Sequence, residues 1–337
     1  MSPWSGNRLQ HACQLFVAML AVITLVAVPA RAQVSSVLQT AQRDFNAGNY
    51  AGAISSLQPI ATGSSSNAEA YFWLGRSYYE ISDYDSSVAQ LEKAASLDPK
   101  NSVYQLWLGR AYGGKADRER SFSLAKKVKK QFELAVSLNP SNIEARRDLE
   151  QFCLDAPWIV GGSKDEALEQ VNAIAAIDPI QGHLARAVYD RSALKKPDEA
   201  ENEIRQVLAA DPKTADPYFE AADFFQSLNK PADMSAAVQA AARVSPNDPR
   251  LAFYRGVAAV LSKTNFTDAE RDLKSYLAST PERSDWPSHA SARDWLGRLY
   301  EAQGKRSEAA EQYRAALQLD PTLKDAQTRL SRLEKPN

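Results

Sequence analysis

Proline recurs behind helix-forming stretches at 99, 140, 179, 212, 246, 281 and 321, with gaps of 41, 39, 33, 34, 35 and 40 residues. A proline pushes the residue before it out of helical geometry, so each one marks a stop. Upstream of Pro99, Tyr71, Leu74, Gly75 and Tyr78 fall at i, i+3, i+4 and i+7, on one face of a helix. Tyr84, Leu91 and Ala94 carry a second stripe to Asp98 and Pro99, so each period holds two helices. Strand alternation does not reproduce this pattern. A unit of this size buries its apolar faces only against its neighbours, and the chain is therefore expected to stack rather than surround one central core.

The last unit is the most regular, with Leu296, Gly297 and Tyr300 on its first helix, Gly304 at the turn, then Ala309, Tyr313, Ala316 and Pro321. This pattern resembles the tetratricopeptide repeat, a helix-turn-helix unit of about 34 residues. The resemblance implies an all-α fold, a right-handed superhelical solenoid whose first helices line a concave groove. Eight repeats are expected, starting near residues 34, 68, 102, 143, 181, 215, 249 and 290, with a capping helix over 322–335. The first keeps Gly48, Tyr50 and Ala53, whereas the fourth to seventh match mainly in spacing. Four departures interrupt the pattern. The third repeat is about seven residues longer, and the fourth contains Pro157-Trp-Ile-Val-Gly-Gly162, a long turn in which Trp158 and Ile159 are expected to fold back on the core. The seventh carries one extra residue before Ala269, and Glu282 to Ser288 lengthen the connector before the eighth.

Residues 1–32 read as a signal peptide and 33–337 as the solenoid. Arg8 precedes an apolar run from Leu15 to Val28, and Ala30-Arg31-Ala32 offers a small-x-small cleavage site before Gln33. Fourteen apolar residues fall short of the ~20 that span a bilayer. The expected location is therefore exported, periplasmic or extracellular, the alternative being an anchor formed by an uncleaved signal. Cys13 lies before the apolar run and Gln33 follows the site, which does not resemble a lipoprotein signal. Cleavage leaves Cys153 as the one thiol, so no internal disulfide is expected.

The inventory for chemistry is sparse. Lys and Arg total 40 against 41 Asp and Glu, which leaves no electrostatic footprint for nucleic acid. Beyond residue 32, one Cys and two scattered His, His183 and His289, give no metal-ligand spacing, and no cofactor is expected. Gly109 to Ala116 approaches a phosphate-cradling loop but has Ala116 where the motif needs Ser or Thr, and no strand precedes it. Cys153 and His183 fall in adjacent repeats, which leaves a Cys-dependent hydrolase as an alternative beside a buried, inert thiol. From Lys115 to Lys130 seven basic residues face only Asp117 and Glu119. That stretch suits an anionic partner or membrane headgroups, or else a solvated helix face with Leu124, Val128 and Phe132 turned inward.

These readings favour a non-catalytic scaffold whose partner is another protein, the alternative being a subunit of an envelope-assembly or export complex. In repeats of this kind positions 5, 9 and 12 of the first helix face the groove. The resemblance assigns them to Phe72, Arg76 and Tyr79 in the second repeat, and to Leu106, Arg110 and Gly113 in the third. Aromatics and arginines are the types that anchor interfaces. Two roles fit Phe72 and Tyr79, partner anchors or packing between repeats. Phe72 and Arg76 also stand where the family's carboxylate clamp has Lys and Asn, so the expected ligand is an apolar, partly acidic peptide rather than a free carboxyl terminus.

Overall fold

The computed structural model describes residues 30–62, 67–279 and 281–335, and among them every regular element is helical. Seventeen α-helices and one 3-10 turn follow in order. Eight antiparallel pairs account for sixteen: α1 (Ala30–Asn46) with α2 (Tyr50–Thr62), α3 (Ala68–Glu80) with α4 (Tyr84–Leu97), α5 (Ser102–Glu119) with α6 (Phe122–Leu138), and α7 (Ile143–Asp155) with α8 (Lys164–Ile177). Then come α9 (Pro179–Ser192) with α10 (Pro197–Ala209), α11 (Asp216–Ser227) with α12 (Pro231–Val244), α13 (Arg250–Ser262) with α14 (Phe266–Ser279), and α15 (His289–Ala302) with α16 (Arg306–Leu319). Helix α17 (Lys324–Glu334) lies on the last pair. The expected leader falls mostly on residues outside those described; α1 is described from Ala30 and runs through the Ala32–Gln33 junction.

Local chemistry sets the period. The second helix of most pairs ends two residues before its proline, as at Leu97 before Pro99 and Leu138 before Pro140. Side chains then restart the chain: Asn67 accepts from the Ala70 amide, Asn101 from Val103 and Tyr104, and Asn142 from Ala145. Each satisfies donors that a helix start leaves open. Within a pair, the turn places one residue in the left-handed region: Gly48, Ser82, Arg120, Lys195, Asn229, Lys263 and Gly304 in seven repeats. The extra residue of the seventh repeat is absorbed by a second left-handed residue, Asn265.

The fourth repeat turns differently, through a 3-10 turn at Trp158–Val160 closed by Gly161 at φ 106°. Here the expectation for Trp158 and Ile159 fails. Val160 is buried, but Trp158 is 84% exposed and Ile159 54%. A single turn with three residues per revolution aims one side chain at the core and the other two away. The third repeat takes up its added length in both helices, 18 residues in α5 and 17 in α6. Its phosphate-loop look-alike, Gly109 to Ala116, lies wholly inside α5.

The stack curves in a defined sense. Every first helix packs on the first helix of the next repeat, from α1 on α3 through to α13 on α15, whereas consecutive second helices do not pack on one another to that extent. The first helices therefore line the inner side. Curvature carries the chain far enough for Arg147 on α7 to reach Glu220 on α11, skipping a repeat. It also carries the connector after α14 back to the first two repeats, where Tyr50 donates to the Glu282 carbonyl at 2.7 Å. Ser284 completes that crossing, its amide and hydroxyl donating to the Glu80 carboxylate at 2.9 and 3.0 Å.

Candidate functional site: the inner groove

The six residues assigned to the groove come together on α3 and α5, but their surroundings redistribute the roles. Leu106 is 0% exposed and Phe72 6%, so neither presents its side chain to a partner in this conformation. Of the two roles open to Phe72 the structure shows packing between repeats, and the groove assignment of Leu106 is corrected: the interface between consecutive first helices covers both. Phe72 packs on Tyr104 with ring centroids 4.8 Å apart. Tyr79 meets Trp107 and Tyr84, both at 5.6 Å, and burial pushes its phenol up to about 12.

Arg76 lies in an aromatic box. Its guanidinium carbon is 4.1 Å from the Trp107 ring centre, 4.6 Å from Phe45, 4.9 Å from Trp73 and 5.7 Å from Phe72. Burial lowers its pKa to about 10, which leaves it charged at neutral pH, and its Nε has no hydrogen-bond partner. Ring faces compensate part of the lost hydration through cation–π attraction. Arg110, one helix on, is fully occupied. Asp148 takes its Nε and Nη2 at 2.6 and 3.2 Å, Glu144 takes Nη1 at 2.7 Å, and its other side lies over Trp107 at 4.6 Å. Burial alone would favour loss of its proton, but the two carboxylates hold the pKa above the usual arginine value. The two arginines are thus distinct: Arg110 is in contact with two carboxylates, whereas Arg76 lies among rings, with Glu80 and Glu144 acting on it only at a distance among the described residues.

Beyond them the inner face becomes a series of charges. Arg147 binds Glu220 in two bonds of 2.9 and 2.7 Å and Gln181 at 3.2 Å. Asp223 accepts from Tyr254 at 2.9 Å, and burial raises its carboxyl to about 6. Arg250 holds Asp216 and Asp248, each at 2.7 Å, and covers the Phe219 ring at 4.4 Å. Glu150 is 2% exposed with Oε1 unbonded; burial, opposed by Arg147 and reinforced by Glu220, raises its pKa to about 8. The sequence pattern contained none of these pairings, since Arg147 and Glu220 stand 73 residues apart. Trp107 was within reach of such reasoning, being three residues before Arg110 on the same helix.

The remaining candidates are structural in their surroundings. Cys153 is buried, its pKa pushed up to about 11 by burial and next by the neighbouring Glu166. A thiol so placed is protonated at neutral pH and poor as a nucleophile. His183 bonds Glu203 at 2.6 Å. No group of three or more potential metal ligands occurs among the described residues, nor any helix long and apolar enough to cross a membrane. In the basic stretch, Lys115 and Arg118 share Asp85, Lys129 pairs with Glu166 at 2.6 Å and Lys127 lies over Tyr112, while Val128 and Phe132 turn inward. The two central insertions meet. A cleft of about 720 Å³ opens between them, walled by Tyr84, Gly113, Phe122, Phe152, Pro157 and Val160.

Comparison with known proteins agrees with this architecture. Residues 38–102 and 74–115 match one tetratricopeptide-repeat model and residues 290–323 a second, so the first three repeats and the last carry the signature in sequence. No curated protein matches the chain. Among solved structures, the hetero-tetramer Cut9-Hcn1 of the APC/C aligns at TM-score 0.50 and 14% identity, over 89% of this chain and 55% of that one. A tetratricopeptide-repeat protein from Parabacteroides merdae aligns at TM-score 0.48 and 14% identity, over 80% and 99%. A thermophilic protein of the same repeat type from Thermus thermophilus aligns at 0.42 and 19%, over 57% and 98%. The fold is a solenoid of helical repeats, four of which match tetratricopeptide-repeat models in sequence.

Proposed function

We propose that this chain is a non-catalytic scaffold that binds a segment of another protein along its inner groove, in an exported compartment. The observation that carries the reading is the groove itself, a continuous inner face of eight packed first helices on which Arg76 remains a cation with no acid in contact among the described residues. A partner carboxylate arriving beside Arg76 would gain a charge-assisted bond in a place already stripped of much of its water. Farther along, Arg147, Glu220 and Asp223 offer both signs of charge, which favours a polar partner segment with a defined register. The buried, protonated Cys153 speaks against thiol catalysis. The apolar run and the Ala30-Arg31-Ala32 site support export.

A photo-crosslinking residue placed at Gln181 or Asp223 in the groove, and at Lys126 on the outer face, tests this in intact cells. Groove positions are expected to trap one recurrent protein, and Arg76→Glu to weaken that capture with an unchanged helical melt. Trapping from Lys126 alone would refute the groove as the binding face. Amino-terminal sequencing that begins at Gln33 would support export, and full-length chain recovered from the cytosol would contradict it.

A further inference from the structure

The connector between α14 and α15 touches the first two repeats through a specific set of groups. Pro281 packs against the turn at Gly48, where an added Cβ would stand 2.2 Å from the proline Cβ. Tyr50 donates to the Glu282 carbonyl, and the Glu80 carboxylate accepts both the amide and the hydroxyl of Ser284. Glu80 lies one helical turn beyond Arg76 on α3, so this contact sits at the mouth of the groove. At its own end the connector is fixed independently. Tyr276 donates to the Pro287 carbonyl at 2.6 Å, and Glu282 accepts from the His289 amide at 3.0 Å. The Arg283 guanidinium pairs with Asp285 and covers the Trp286 ring at 4.8 Å.

We infer that Gly48, Tyr50 and Glu80 form a docking site for a segment that leads with proline and carries a serine or threonine three residues on, at the start of a turn, and that the connector occupies it as an internal ligand. Each recognition element has a chemical counterpart. The left-handed turn at Gly48, with φ 75° and no side chain, leaves a flat seat for a proline ring. Tyr50 offers a donor to a backbone carbonyl, and Glu80 offers two acceptor oxygens to an amide and a hydroxyl. The seat is held lightly, because the bonds to Glu80 are exposed and water competes for the same donors and acceptors. A partner segment of the same chemistry can therefore displace the connector, opening the ring formed by the first and seventh repeats. This rests on the scaffold reading above and names the partner chemistry at one end of the groove.

The test uses the connector's own sequence as probe. A fluorescent peptide spanning residues 281–288 is titrated by anisotropy against the wild-type chain and against a chain whose residues 281–287 are exchanged for a glycine-serine linker of equal length. The exchanged chain is expected to bind the peptide at least tenfold more tightly than wild type, where the tethered copy competes. Adding Tyr50→Phe and Glu80→Ala to the exchanged chain should remove at least tenfold of that binding. A folded exchanged chain that ignores the peptide, or binds it regardless of Tyr50 and Glu80, overturns the inference. Should the exchange prevent folding, Pro281→Gly with Ser284→Ala in the otherwise intact chain must raise peptide binding above wild type, and no rise overturns it equally. Crosslinking at Gln181 and Asp223 reads a different part of the groove, so that experiment can succeed where this one fails.

Discussion

Two glycines inside first helices should respond in opposite directions to the same methyl group. Gly182 stands near the start of α9, where an added Cβ would lie 2.5 Å from both the Cα and the Cβ of Ala175 on α8. Those helices share Asp178, the last cap of one and the first cap of the other, so neither can slide to make room. Gly113 in α5 faces the cleft between the insertions, and its added Cβ would meet only Val128, at 4.0 Å. Alanine is favoured over glycine in a helix interior by about 1 kcal/mol in either place. Against that gain, overpacking costs about 1–3 kcal/mol, at the upper end where backbone must move. Gly182→Ala is therefore expected to lose about 1–2 kcal/mol net, and Gly113→Ala to gain about 0.5–1 kcal/mol. Urea unfolding followed by far-ultraviolet circular dichroism measures both. Amide exchange should place the Gly182→Ala loss in α8 and α9, because repeats touch only their neighbours. A Gly182→Ala chain as stable as wild type, or a Gly113→Ala chain clearly less stable, would refute the reasoning from close approach.

Two further outcomes follow from buried titratable groups. The Glu150 carboxyl has a folded pKa of about 8 against an ordinary value of 4.5, so between those values the unfolded chain ionises and the folded chain does not. Stability is then expected to fall as pH rises from about 4.5 to 8, and Glu150→Gln should remove that slope, gaining up to ~3 kcal/mol at pH 7 and little at pH 4. Paired melts across that range check it, with equal slopes in the two chains as the contrary result. For Cys153, pushed up to about 11, iodoacetamide labelling at neutral pH should be at least tenfold slower in the native chain than in guanidinium. Equal rates would show that the thiol is neither buried nor held protonated.

The repeat phase was legible in the sequence because its signals are local. Pro99, Pro140 and Pro321 stop helices through the geometry of the preceding residue, and Asn67, Asn101 and Asn142 start them by capping amides two or three residues away. Helical periodicity likewise identified Leu74, Gly75 and Leu91 as packing residues, all of which are buried. The same periodicity could assign positions to the inner side of a helix but could not say which of them the next repeat covers. Phe72 and Leu106 are covered, Arg110 is taken by acids from α7, and Arg76 is held among rings from α1, α3 and α5. Trp158 pointed outward because the rotation of one short turn decided it, and no spacing rule reaches that far. The Arg147–Glu220 bridge and the seat of the connector on Tyr50 and Glu80 depend on the curvature of the whole stack. That curvature is the sum of small rotations at seven successive interfaces, each set by the sizes of the side chains packed there, so it exists only once the repeats are assembled.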